Sequence, residues 1–319
     1  MISVKHVKDA RERISGITPT TPILQSEQLS KICGNQLFLK SEHLQKTGSF
    51  KIRGASNKVI HSIENGAKYV TAASSGNHGQ AVAYVANQYG VPATIVVPDN
   101  VSKCKVNAIK AYNGKVEMCG TTSAERLPRA QAIADQENGV FIPPYDDPFI
   151  MAGQGTVGLE MLEQVDQIDA IIVPVGGGGL LSGILTAIKE TNPKIKVIGV
   201  EPEIANDTYL SLQIKKITAI KSTTTIADGL RTNQPGDLTF PVLMKYLDDL
   251  VLVSEDEIRQ AFSFVMERTK QLIEPSSATT IAAAMFNKLN LQGKNIVTVI
   301  SGGNVDLEKI RQLIVEVAE

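Results

Sequence analysis

The chain has 319 residues, 43% hydrophobic and 20% charged; that is enough apolar material for a large core, and it exceeds the size of about 250–300 residues at which one core usually gives way to two lobes. Disorder and a disulfide-stapled miniature are excluded. With 32 basic against 33 acidic residues the net charge is −1, and no basic run points to nucleic acid or an anionic membrane as partner, so small molecules are the expected ligands.

Residues 1–16 alternate charged and apolar side chains, lack the features of a secretory signal, and read as an amphipathic helix. Cys33, Cys104 and Cys119 are odd in number, far apart and not in metal-ligand spacing. They predict free thiols in a reducing compartment, the cytoplasm. Lys51 stands at the start of a predicted helix, after QKTGSF. The apolar run YVTAAS (69–74) reads as a strand, followed by a helix over 80–89, and ATIVVP (93–98) as the next strand. Three prolines make 142–148 a seam between lobes. The uncharged stretch 170–188 is nearly long enough to cross a bilayer. Pro174, Ser182 and four glycines break it, which predicts strand, loop and helix start rather than a span. KVIGV (196–200) is a further strand, and 215–241 a loop-rich excursion. From Ser254, the apolar residues Ile258, Phe262, Val265 and Met266 share one helix face, and Ser254 with Glu257 forms a capping box. NIVTVI (295–300) is the last strand. This strand–helix alternation predicts an α/β fold with largely parallel sheets.

Polar or glycine-rich stretches sit where strands hand over to helices, the usual ligand sites of such folds. Gly176, Gly177, Gly178 and Gly179 lie between an apolar strand and an apolar helix; their N–H groups can line a nest for a phosphate. A nucleotide reading competes, since Gly177-x-Gly179-x-x-Ser182 is one residue short of the dinucleotide fingerprint and Glu201 lies at about the expected distance. A P-loop is excluded, because no Gly-Lys-Ser/Thr follows. Lys51, at a helix N-terminus among apolar and small residues, has reason to be a neutral amine able to form a Schiff base. A phosphate nest with a nucleophilic lysine is what pyridoxal phosphate requires. SSGNHG (74–79) offers hydroxyls, an amide and free helix N–H groups as a carboxylate cradle. Ser301 follows the last strand, and its hydroxyl can face a heterocyclic nitrogen. Glu201-Pro-Glu-Ile-Ala-Asn-Asp207 supplies two carboxylates and a carbonyl, hard ligands for Mg²⁺ or Ca²⁺.

In order, TGSFKIRGA, SSGNHGQA, AGQGT, PVGGGGLLSG, EPEIAND, TIADG, IEPS and SGGNVD make the chain resemble the fold-type II pyridoxal-phosphate enzymes (tryptophan synthase β-like) of the serine/threonine dehydratase family, nearest the eukaryotic serine racemases. The resemblance runs from about residue 14 to residue 307. It implies two open twisted α/β domains, a large one from 1–68 and 147–319 and a small mobile one from 69–146, and a homodimer. It implies that Lys51 holds pyridoxal 5'-phosphate covalently, Phe50 packs on the ring, Asn77 bonds the ring hydroxyl, Gly176, Gly177, Gly178 and Gly179 bind the phosphate, and Ser301 meets the ring nitrogen. Ser74, Ser75, Asn77 and His78 surround the substrate carboxylate, Arg126 reaches substrate on closure, and Ser75 also donates a proton. Glu201, the Ala205 carbonyl and Asp207 match the site at which serine racemases bind Mg²⁺, Ca²⁺ or Mn²⁺. Lys46, Gln80 and Tyr112 match an ATP-activator site, while Tyr145 stands where the mammalian enzymes have Asn. The implied activity is interconversion of L- and D-serine with β-elimination to a 2-oxo acid and ammonia; a threonine or threo-3-hydroxyaspartate dehydratase with little racemisation is the alternative.

Overall fold

A computed structural model describes residues 1–315 except Ser75, Asn100 and Ser102, and leaves out the side chains of Cys104 and Ser123. In chain order the strands are β1 (Ile23–Gln25), β2 (Gln36–Ser41), β3 (Val70–Ala73), β4 (Ala93–Val97), β5 (Lys115–Met118), β6 (Val140–Phe141), β7 (Ala170–Pro174), β8 (Lys196–Pro202), β9 (Asp249–Val253) and β10 (Asn295–Ile300). They form a six-stranded sheet, β1-β2-β10-β7-β8-β9, and a four-stranded sheet, β5-β4-β3-β6. Every pairing is parallel except β1 against β2. β4 and β7 are buried along their whole length, as parallel strands covered by helices on both faces must be.

The smaller sheet is built wholly from residues 70–141. Its core also takes in Ile52, Ala55, Val59 and Ile60 of the helix Lys51–Glu64. The helix that carries Lys51 therefore shares the smaller sheet's core, and it packs along the helices Asn77–Gln88 and Pro148–Gln164. The reason is its apolar face, which matches Val70, Ala72 and Val82.

The stretch 170–188 divides as expected into β7, the glycine turn and the helix Gly179–Lys189, and no helix among the described residues is long and apolar enough to cross a membrane. The first helix spans Val4–Ile14 and buries Val7, Ala10 and Ile14. The Ser254 capping box is present, with Ser254 N–H donating to Glu257 at 2.7 Å and Glu257 N–H to Ser254 Oγ at 3.2 Å. That helix ends in a π turn, Val265–Thr269. Cys33 and Cys119 are free thiols. One boundary differs from expectation: the helix predicted over 80–89 spans Asn77–Gln88, with Gly76 as its N-cap. The earlier start puts Asn77 and His78 in its first turn.

Candidate active site

Ser74 follows β3, the glycine turn follows β7 and Ser301 follows β10, all at the carboxyl ends of parallel strands. They meet in one cleft of about 180 Å³ that Phe50, Lys51, Asn77 and Arg126 also line. Lys51 is the first residue of its helix, and its Nζ donates to the Pro144 carbonyl at 2.7 Å and lies 5.3 Å from the centre of the Phe50 ring. Burial lowers the amine to about 8, against the opposing pull of the Glu274 carboxylate. Close to neutral pH this lysine is thus a usable nucleophile.

The four glycines fit for steric reasons. Gly178 has φ of +89°, and a Cβ there would stand 2.8 Å from Thr239 Oγ1. A Cβ on Gly177 would stand 2.5 Å from the Tyr145 ring, which lies across that residue. Behind the turn, Thr239 Oγ1 donates to the Gly177 carbonyl at 2.8 Å and accepts from Gly236 N–H at 3.0 Å. The turn opens directly into the Gly179–Lys189 helix, whose first N–H groups have no partner within the helix and favour an anion.

Opposite lies a fixed polar chain. Asn304 Nδ2 donates to Thr47 O (2.7 Å) and Asn77 Oδ1 (2.9 Å), and Asn77 Nδ2 donates to both Glu274 oxygens at 2.9 and 3.0 Å. The Asn77 amide is thereby held in one orientation at the cleft wall. Glu274 is pushed up to about 7 by burial and by Asp228. Ser277 Oγ donates to Gly302 O at 2.7 Å and lies 3.1 Å from Ser301 Oγ. With the Ser277 proton so placed, Ser301 is the donor of that pair and can turn its proton towards a ring nitrogen.

Of the carboxylate cradle, Ser74 Oγ accepts from Gly76 N–H at 3.1 Å, and Arg126 lines the cleft from the helix Ser123–Gln136. Ser75 lies outside the described residues. His78 is pushed down to about 3 by burial and by Lys51, and its Nε2 meets the Ile142 carbonyl at 2.9 Å. A neutral ring beside a carbonyl donates to it, which leaves Nδ1 a bare acceptor. The ring of His78 therefore offers no N–H to a carboxylate, while its backbone N–H lies in the first helical turn.

The acidic loop forms a second centre. Glu201 and Asp207 are fully buried, and Ala205 is buried beside them. Glu201 accepts from Thr208 N–H (3.1 Å) and Tyr209 N–H (2.9 Å), whereas neither oxygen of Asp207 has a hydrogen-bond partner. Burial and the Asp207 charge push Glu201 up to about 8; burial pushes Asp207 up to about 7. Two buried like charges with an orphaned oxygen pair fit a hard divalent cation. With Glu201 turned to this loop, the nucleotide reading loses its ribose partner. No group of three or more His, Cys, Asp or Glu side chains in metal-binding proximity occurs among the described residues, so a carbonyl and solvent would have to complete the shell.

Sequence reasoning missed three contributors. Glu274 was visible only as part of IEPS; its position just before Pro275, the first residue of the helix Pro275–Met285, was the available signal. Lys105 and Asp228, which line the cleft and pair at 2.5 Å, come from segments 123 residues apart, and no local pattern links them. The suggested activator residues lie apart from the cleft: Lys46 is exposed, Gln80 is buried, and Tyr112 meets Tyr84 edge-on at 5.2 Å.

A lysine of lowered basicity, a glycine turn without room for side chains, an oriented amide and a hydroxyl thus share one cleft, a set that fits pyridoxal phosphate. The chain is 44% identical over 319 residues to a serine racemase of Dictyostelium discoideum, covering 98% of each. It is 40% identical to a catabolic L-threonine dehydratase of Escherichia coli over 98% of this chain and 96% of that one. The structure of maize serine racemase superposes with a TM-score of 0.94 at 39% identity, covering 98% and 96%. The profile of the pyridoxal-phosphate dependent enzymes matches residues 14–302, and the chain belongs to that family.

Proposed function

We propose that this enzyme interconverts L- and D-serine and also converts serine to pyruvate and ammonia, the water lost with the β-hydroxyl being taken up again on hydrolysis. The observation that carries the reading is Lys51: a buried amine brought to about 8, in one cleft with the glycine turn and Ser301. The uncompensated Glu201–Asp207 pair tilts it to racemase, being the feature that the resemblance ties to serine racemases.

Bound pyridoxal phosphate supplies an aldehyde for the substrate amine and a conjugated sink for the electron pair left at Cα. Gly176, Gly177, Gly178 and Gly179 hold its phosphate, Phe50 packs on its ring, Asn77 meets its hydroxyl and Ser301 its nitrogen. Ser74, Asn77, the His78 N–H and Arg126 orient the substrate carboxylate. Lys51 Nζ takes the α-proton from one face, and Ser75 Oγ gives one to the other; inversion needs two such groups on opposite sides. Loss of the β-hydroxyl instead leads to pyruvate and ammonia. A hydroxyl at Ser301, unlike a carboxylate, does not hold a ring nitrogen protonated, so elimination is a substantial second reaction.

The cation at Glu201, Ala205 and Asp207 is Mg²⁺, Ca²⁺ or Mn²⁺ in this reading, with a structural and activating role. Residues 69–146 close over the substrate, and the Lys105–Asp228 pair in the cleft wall joins that segment to the rest of the chain. A homodimer and nucleotide activation through Lys46, Gln80 and Tyr112 belong to the same reading, as does a cytoplasmic location. The second reading, a threonine or threo-3-hydroxyaspartate dehydratase, is supported by the comparable identity to the dehydratase.

The test is chiral product analysis of cofactor-loaded protein with L-serine and Mg²⁺, beside Lys51→Ala. D-serine and pyruvate, both lost in the variant, are expected. Pyruvate without D-serine moves the enzyme to the dehydratase reading, and absence of both overturns each.

A further inference from the structure

The helices that begin at Lys51 and at Gly179 are both packed, one turn from their starts, against a third helix, Pro148–Gln164. On one side a Cβ at Gly153 would stand 2.7 Å from the Arg53 carbonyl oxygen and from Gly54 Cα, and one at Gly54 would stand 2.8 Å from the Ile150 carbonyl oxygen. On the other side a Cβ at Gly155 would stand 2.7 Å from the Gly183 carbonyl oxygen, and one at Gly183 would collide with the Met151 carbonyl. Gly153 and Gly155 are two residues apart, about 200° around a helix, and so face opposite neighbours.

The Lys51 side is also locked against sliding. Gly54 N–H donates to Gln154 Oε1 at 3.2 Å, and Arg53 donates to Glu160 at 2.6 and 2.9 Å. Helix 148–164 thus holds the element bearing the lysine on one flank and the element opening from the glycine turn on the other, backbone against backbone.

We propose that Gly153 and Gly155 are positioning residues that set the distance between the Lys51 amine and the phosphate-binding turn, so that the aldehyde and the phosphate of one cofactor molecule engage together. This rests on the roles given above to Lys51 and the turn. A ligand held at two points gains affinity from the second contact only if the spacing is right. A methyl on Gly155 must open a gap of 2.7 Å to the 3.4 Å of ordinary contact, a displacement of the size that degrades a two-point site.

The experiment compares full-length wild type and Gly155→Ala, freed of cofactor, with three probes: pyridoxal, which lacks the phosphate; inorganic phosphate, which lacks the aldehyde; and pyridoxal phosphate. Circular dichroism and thermal melting accompany each titration, and borohydride reduction with peptide mapping locates captured pyridoxal. The variant is expected to bind each half within about twofold of wild type, while its affinity for pyridoxal phosphate falls about tenfold or more. A loss for the whole cofactor no greater than for the halves overturns the inference. If wild type captures pyridoxal at a residue other than Lys51, the reading of Lys51 fails and this inference with it. Should Gly155→Ala not fold, Gly158→Ala serves, because its Cβ would stand 2.9 Å from Ala187 Cβ on the same interface one turn further from the cleft. A drop of about threefold confined to pyridoxal phosphate is then expected, and an unchanged or uniform response overturns the proposal.

Discussion

Two groups of buried charge among the described residues differ in their counter-charge. Lys40, Arg53, Glu42 and Glu160 are all buried, two cations with two anions. Lys40 Nζ also donates to Thr21 O and Gln164 at 2.8 Å, and Arg53 to Thr156 at 3.1 Å. Burial works to raise Glu42, yet the adjacent guanidinium of Arg53 outweighs it and holds the carboxylate below its ordinary range. Glu201 and Asp207 are as deeply buried, no cationic side chain offsets either among the described residues, and both are raised. Burial is common to the two groups; the counter-charge separates them. The first group ties the Lys51 helix in place, and the second is the carboxylate pair at which a cation is proposed.

The comparison can be broken most forcefully at Arg53. Arg53→Met leaves two buried carboxylates facing Lys40 alone, and a loss of about 3–5 kcal/mol in denaturant unfolding is expected. Arg53→Lys should recover only part, since an ammonium does not reproduce the paired geometry of a guanidinium.

Next in size is the acidic pair. Mg²⁺ added at a hundredfold excess over its Kd should stabilise chelated wild type by about 2.7 kcal/mol. Glu201→Gln should lose that response. Chelation that leaves melting and activity of the wild type unchanged would remove the cation from the account.

The two groups also differ in pH response. Folding raises Glu201 from 4.5 to about 8 and Asp207 from 3.8 to about 7. Between those limits the folded state holds more protons, so cation-free stability falls as pH rises from about 5 to 8. Glu42 contributes with the opposite sign: its stabilisation is present above the ordinary carboxylate range and is lost as pH falls through its lowered value. Melting against pH in chelator should show the first slope; saturating Mg²⁺ should flatten it, and Glu201→Gln should remove only the Glu201 share.

The smallest effect concerns Lys51. A nucleophile lowered from 10.5 to about 8 should capture pyridoxal phosphate faster as pH rises, by about tenfold per unit below 8, and level off above it. Stopped-flow absorbance of the cofactor-free protein would register this, and a rise continuing to pH 10 would refute the assignment.

Much of this was legible in the sequence where the physics is local. Apolar runs such as ATIVVP and NIVTVI are buried on both faces and announce themselves. The Ser254 box and the glycines after β7 carry their own geometry. The pairing of Lys105 with Asp228 and the balanced cluster around Arg53 depend on which distant segments the topology brings together, and no spacing in the chain encodes that. Strands β1, β5 and β6 escaped for a related reason, being short and without a continuous buried apolar run, whereas the apolar runs LFL in β2 and LVLV in β9 were there to be read. The His78 ring contact with Ile142 O, 64 residues on, is likewise set by topology and has no local signal.

The central claim is that the cleft at the strand ends is where the cofactor is held, through Lys51. Borohydride reduction of the cofactor-loaded protein followed by peptide mapping tests it most directly. A phosphopyridoxyl group on Lys51, absent from Lys51→Ala, is the predicted result. A stable adduct on another lysine, or none at all, would contradict the account.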